Sequence, residues 1–78
     1  MRINEQMKEV FTSLGLNIKN LREKQKVSLQ ELSLKTGIRK EYLEKIEKGT
    51  AYGVLVEKHL FVIANTLNVK LSELLNYE

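Results

Sequence analysis

The stretch from Ser28 to Gly49, SLQELSLKTGIRKEYLEKIEKG, decides the fold. Ser28 followed three residues later by Glu31 is a capping box. The serine hydroxyl takes an amide hydrogen left over at a helix start, and the glutamate reaches back to another. A helix is therefore expected over 29–36, with Leu32 facing inward and Leu34 or Lys35 at its edges. Gly37 ends it, because a tight turn after a helix needs a positive φ. A second helix is expected from about Lys40 to Lys48, with Tyr42, Leu43 and Ile46 apolar and charges elsewhere, closed by Gly49. The result is two short helices joined by a turn of about three to four residues, one held at a fixed angle across the other.

Outward from this unit, the pattern stays helical. Upstream, Ile3, Met7, Val10, Phe11, Leu14, Ile18 and Leu21 recur at three- and four-residue spacing, one face of a helix over about 3–25. Gly15, flanked by Thr12 and Ser13, is the point where that helix is expected to break in two, since glycine costs about 1 kcal/mol inside a helix. Downstream, Thr50 to Leu55 reads as a loop containing Gly53. A fourth helix follows with Val56, Leu60, Ile63, Ala64 and Leu67 on one face, then a short fifth around Leu71, Leu74 and Leu75. The expected architecture is all-α: five short helices, with residues 1–13 as an N-terminal helical extension and residues 14–76 as the compact domain.

Composition agrees and narrows the function. The chain has 78 residues, room for one domain. Its ten acidic residues are all glutamate and it has no proline, a balance that favours helix. With no cysteine and a single histidine, His59, there is no disulfide framework and no Cys/His zinc site. The usual catalytic constellations have almost nothing to work with, so an enzyme is not expected, nor is a metal or cofactor. No apolar run approaches the roughly 20 residues needed to span a bilayer, and MRINEQMKEVF at the start lacks a signal-peptide segment. A cytoplasmic protein is the expectation. A net charge of +3 suits a polyanionic partner.

The same residues carry a resemblance. Arg22, Leu32, Gly37, Ile38, Leu43, Ile46, Glu47, Gly49, Ala64, Leu67, Val69 and Leu74 stand at the spacing of the lambda-repressor-like helix-turn-helix family, from about Leu14 to Leu75. That family includes phage repressors and Cro proteins, and the controller proteins of restriction–modification systems look similar. The resemblance implies a sequence-specific DNA-binding transcriptional regulator that works without a cofactor. It also implies an ion pair between Arg22 and Glu47, joining the first helix to the end of the third. Leu32, Ile38, Leu43 and Ile46 read as core, and Ser33 as a small residue where two helices approach.

The helix over 40–48 is then the one that enters the major groove of double-stranded DNA, where an α-helix fits. By resemblance, Lys40, Glu41 and Lys45 fall at base-reading positions. Lysine can donate to guanine O6 and N7, and glutamate can accept from cytosine N4. The solvated alternative is an ion pair between Glu41 and Lys45, four residues apart. Backbone contacts are expected from Lys26, Arg39 and Lys48, from the Tyr42 hydroxyl, and from Ser28 with the free amides at its helix start. Two positions depart from the family: Glu41 repels phosphate, and Leu29 stands where a polar residue is common. Tyr52 reads as a backbone or subunit contact, and His59 as a surface residue on a mostly polar side of its helix.

One recognition helix reads only about four or five base pairs, so a two-fold homodimer placing two of them roughly 34 Å apart on a palindromic operator is expected. Apolar residues left over after the core is counted form a C-terminal set, Val62, Val69, Leu71, Leu75 and Tyr77, and an N-terminal set, Ile3, Met7 and Phe11. The resemblance favours the C-terminal set as the dimer interface. The competing expectation is a protein-interaction module of the same fold, binding a regulatory protein such as a toxin or an antirepressor. The mixed sign of Lys40, Glu41, Glu44 and Lys45 is what supports it.

Overall fold

Five helices follow one another: α1 (Glu5–Lys24), α2 (Leu29–Thr36), α3 (Lys40–Lys48), α4 (Glu57–Thr66) and α5 (Leu71–Leu74). They are seen in a computed structural model that describes residues 5–51 and 57–75, with the side chains of 57 and 58 outside that description. Ile3, Tyr52, Gly53, Val56 and Tyr77 lie outside the described residues. No strand occurs among the described residues, and the fold is all-α as the sequence reading expected.

α1 does not break at Gly15; it is one helix of 20 residues running through the expected junction between extension and domain. The glycine is there for closeness. A Cβ on Gly15 would meet the carbonyl oxygen of Ile46 and lie 2.5 Å from that of Glu47, so α1 crosses the last turn of α3 with its backbone almost in contact. Gly49 repeats the arrangement from the other side: a Cβ there would sit 2.7 Å from the Cα of Thr12.

The turn between α2 and α3 is tied by side chains. Ser28 caps α2, its hydroxyl oxygen accepting from the Glu31 amide at 3.0 Å. The expected reciprocal half of the capping box is replaced by an ion pair, with the Glu31 carboxylate 3.4 Å from Lys35 Nζ. Gly37 takes φ +77° and returns its amide to the Ser33 carbonyl. Ser33 donates to the Ile38 carbonyl at 2.6 Å, and Thr36 Oγ1 accepts from the Ile38 amide at 3.1 Å while donating to the Leu32 carbonyl. Ser33 is thus a strut of the turn rather than only a small residue. Leu34 points away from the fold, 79% exposed.

Three helix ends share one device. After α1, α3 and α4, a residue with positive φ (Lys26, Gly49 and Asn68) lets the next amide bond five residues back: Val27 to Arg22, Thr50 to Lys45 and Val69 to Ala64.

Leu14, Ile18, Leu32, Ile38, Leu43, Ile46, Ile63, Ala64, Leu67 and Leu74 form a single core. Each fully buried leucine or isoleucine contributes about 1.5–3 kcal/mol from apolar surface withdrawn from water. α1 packs on α3 and α5, α2 on α3 and α4, and α4 on α5. Two side-chain amides close the far side, Asn17 on the Leu74 carbonyl at 3.0 Å and Gln25 on the Leu67 carbonyl at 2.6 Å. α3 is therefore gripped along its inner edge and presented outward along the other.

Candidate nucleic-acid interface

α3 owes its orientation to Leu43 and Ile46, both buried, with Tyr42 half-buried beside them. The helical period then turns Lys40, Glu41, Lys45 and Lys48 to solvent, while Glu44 is half-buried. Lys26, Ser28 and Arg39 are exposed as well. Among the described residues no ion pair joins Glu41 to Lys45.

Two shallow grooves flank α3. The larger, about 460 Å³, runs toward α4 and is lined by Gly37, Ile38, Arg39, Glu41, Tyr42, Lys45 and His59. The other, about 260 Å³, runs toward α1 and α2, and its walls are Lys19, Arg22, Leu29, Glu44, Glu47 and Lys48. Arg39, Glu41, Tyr42 and Lys45 are thereby brought together on one flank and Lys48 on the other. Lys40 stands exposed in the first turn of α3; Lys26 lines neither groove.

Two residues here escaped the sequence reading. Lys19, exposed on α1, lines the smaller groove together with Lys48, a relation set by how α1 crosses α3. His59, expected as a surface residue, is less exposed than that. It is half-buried with its ring edge-on to Tyr42, centroids 5.4 Å apart and planes at 62°. Burial pushes the Tyr42 phenol above its ordinary value, so it remains a neutral donor well past physiological pH.

Behind this surface, Arg22 grips Glu47 with two parallel bonds, Nε to Oε2 at 2.7 Å and Nη2 to Oε1 at 3.1 Å. The third guanidinium nitrogen donates to the Val27 carbonyl at 2.8 Å, and Glu23 stands 3.9 Å from Nη2. Both side chains are almost wholly buried, at 10% and 6% exposure. The hydrogen bond to Glu47 raises the Arg22 pKa against the opposing effect of burial, so the charge is permanent. The pair joins α1, the start of the α2 loop and the last turn of α3, fixing the helix that carries the lysines.

Of the C-terminal apolar set, Val62, Val69 and Leu71 are half-buried, the last two packed on the core, and Leu75 is 49% exposed. Phe61, which the sequence reading did not single out, is 58% exposed on α4. Near the start of α1, Gln6, Met7, Val10 and Phe11 line a small apolar groove. Among the described residues no cluster of His, Cys, Asp or Glu could hold a metal, and no helix is long and apolar enough to cross a membrane.

The chain is similar in fold to the restriction-modification controller protein C.AhdI from Aeromonas hydrophila. The TM-score is 0.75 at 20% identity, over 82% of this chain and 94% of that one. No curated protein matches the chain. A family model described as a helix-turn-helix domain matches residues 15–78. The lambda-repressor-like reading of the fold therefore holds, and the chain belongs to the helix-turn-helix domain family.

Proposed function

We propose that the protein is a sequence-specific transcriptional regulator that binds a short palindromic operator as a homodimer, each copy laying α3 in the major groove. The observation that carries this is the two-sided character of α3. Leu43 and Ile46 are locked into the core, while Lys40, Glu41 and Lys45 stand unpaired on the opposite, exposed side. In this reading Lys40 and Lys45 donate to guanine edges and Glu41 accepts from a cytosine amine. Lys26, Ser28, Arg39, Tyr42 and Lys48 hold the phosphates. The Ser28 oxygen already accepts from the Glu31 amide, which leaves its hydroxyl hydrogen to donate to a phosphate. Val62, Val69, Leu71, Leu75 and Tyr77 form the dimer contact, and exposed Phe61 on α4 enlarges it.

A protein-interaction module is the second reading. It is favoured by Glu41 and Glu44 on α3 and by Leu34, an exposed leucine on the outer side of α2.

A salt titration on duplex DNA separates the two. A regulator shows log affinity falling linearly with log salt, and operator binding that survives where random duplex is released. Binding that is indifferent to sequence, or absent at low salt, transfers the fold to the second reading.

A further inference from the structure

We propose that His59 is a further DNA-contacting residue, a phosphate ligand on α4 whose charge makes operator affinity depend on pH. This rests on the DNA-binding reading of α3 above. His59 and the proposed base-reading residues Glu41 and Lys45 line the same groove. A duplex that reaches those two side chains passes its backbone over this groove, toward α4. The imidazole is held there rather than swinging in solvent, because its ring rests edge-on against Tyr42. It is half-buried and lines the groove, so part of it is reached from that side.

The charges around it set the sign. Arg39, the N-cap of α3, and Lys45, in its last turn, line the groove as cations, and among the described residues Glu41 is the carboxylate that lines it. Tyr42, the group in ring contact, is neutral at these pH values because burial raises its phenol. A phosphate entering the groove adds negative charge beside the imidazole and favours its protonated form. Binding therefore takes up protons, and affinity rises as pH falls through the range where histidine ordinarily gains its charge. The chain has no second histidine to contribute the same signal.

The test is the affinity of the intact chain for a selected operator duplex, by fluorescence anisotropy at about pH 6 and about pH 8, for wild type, H59Q and H59K. The expected result is wild-type binding roughly three- to tenfold tighter at the lower pH, since a shift of one pKa unit is worth at most tenfold. H59Q should be nearly flat with pH, and its salt slope at the lower pH shallower by about 0.9, the value of one phosphate contact. H59K, charged throughout, should bind at the higher pH as tightly as wild type does at the lower. Both variants lose the ring contact with Tyr42, so equal weakening of both at both pH values would mean a purely structural role and overturn the proposal. So would an H59Q that keeps the wild-type pH dependence. Absence of DNA binding by the wild type at either pH would instead remove the reading of α3 itself.

Discussion

Gly15 of α1 and Glu47 of α3 meet backbone to backbone: a methyl group on the glycine would lie 2.5 Å from the glutamate's carbonyl oxygen. That contact sets the height of α3 above α1, and Arg22, two turns further along α1, holds the side chain of the same glutamate. The backbone and the side chain of Glu47 are thus both anchored to α1.

Gly15→Ala is expected to destabilise the protein even though alanine is the better helix former by about 1 kcal/mol. The intruding methyl meets main chain, which cannot rotate aside, and overpacking of this kind costs about 1–3 kcal/mol or more. A net loss of about 2 kcal/mol would lower the thermal midpoint by roughly 8–16 °C in a domain of this size. Gly37→Ala makes the contrast: nothing lies within 4 Å of its Cβ position, so only the strain of φ +77° remains, about 1–2 kcal/mol. An unchanged midpoint for Gly15→Ala would show that α1 and α3 can slide apart.

Removing one partner of the buried pair should be severe. Arg22→Met leaves the Glu47 carboxylate uncompensated in the interior and is expected to cost about 3–5 kcal/mol in urea unfolding. The double variant Arg22→Met with Glu47→Leu should recover most of that, because a well-packed apolar pair replaces a buried ionic one at little cost. Because the folded-state pKa of Arg22 is raised, its contribution is present at neutral pH and on the alkaline side is lost only in strong alkali. Additive losses in the cycle would mean that the two residues act separately.

Lys26 offers a test in which stability and binding move in opposite directions. It holds φ +59° at a helix end, a conformation that costs a non-glycine residue roughly 1 kcal/mol. Lys26→Gly should therefore raise stability by about 0.5–1 kcal/mol while weakening DNA binding on every sequence alike and reducing the salt slope by about 0.9. Lys40→Ala should leave stability unchanged, cost about 1–3 kcal/mol on the operator and relax one base position. Equal losses from both variants on all sequences would contradict the division into base and phosphate contacts.

Leu75→Glu is expected to shift sedimentation from dimer to monomer with the far-ultraviolet spectrum preserved, since this side chain is half exposed beside the core leucine Leu74. Operator affinity should fall steeply with it, because each half-site alone is short. A dimer that survives the charge would place the two-fold axis elsewhere.

What the sequence determined by itself was local in origin. Ser28, Gly37 and Gly49 mark where helices begin and end through hydrogen bonds and φ values reached within a few residues. The spacing of Leu43 and Ile46 says which side of α3 turns inward whatever lies behind it. Both features depend on periodicity and capping, which one segment carries on its own. Tertiary structure alone decided the role of Gly15, read as a helix breaker but needed for a close crossing, because a helix has no knowledge of what passes over it. It also decided the edge contact of His59 with Tyr42, the sharing of one groove by Lys19 and Lys48, and the exposure of Leu34. Each of these depends on the angle and distance between helices far apart in the chain, which the packing of the whole core sets at once.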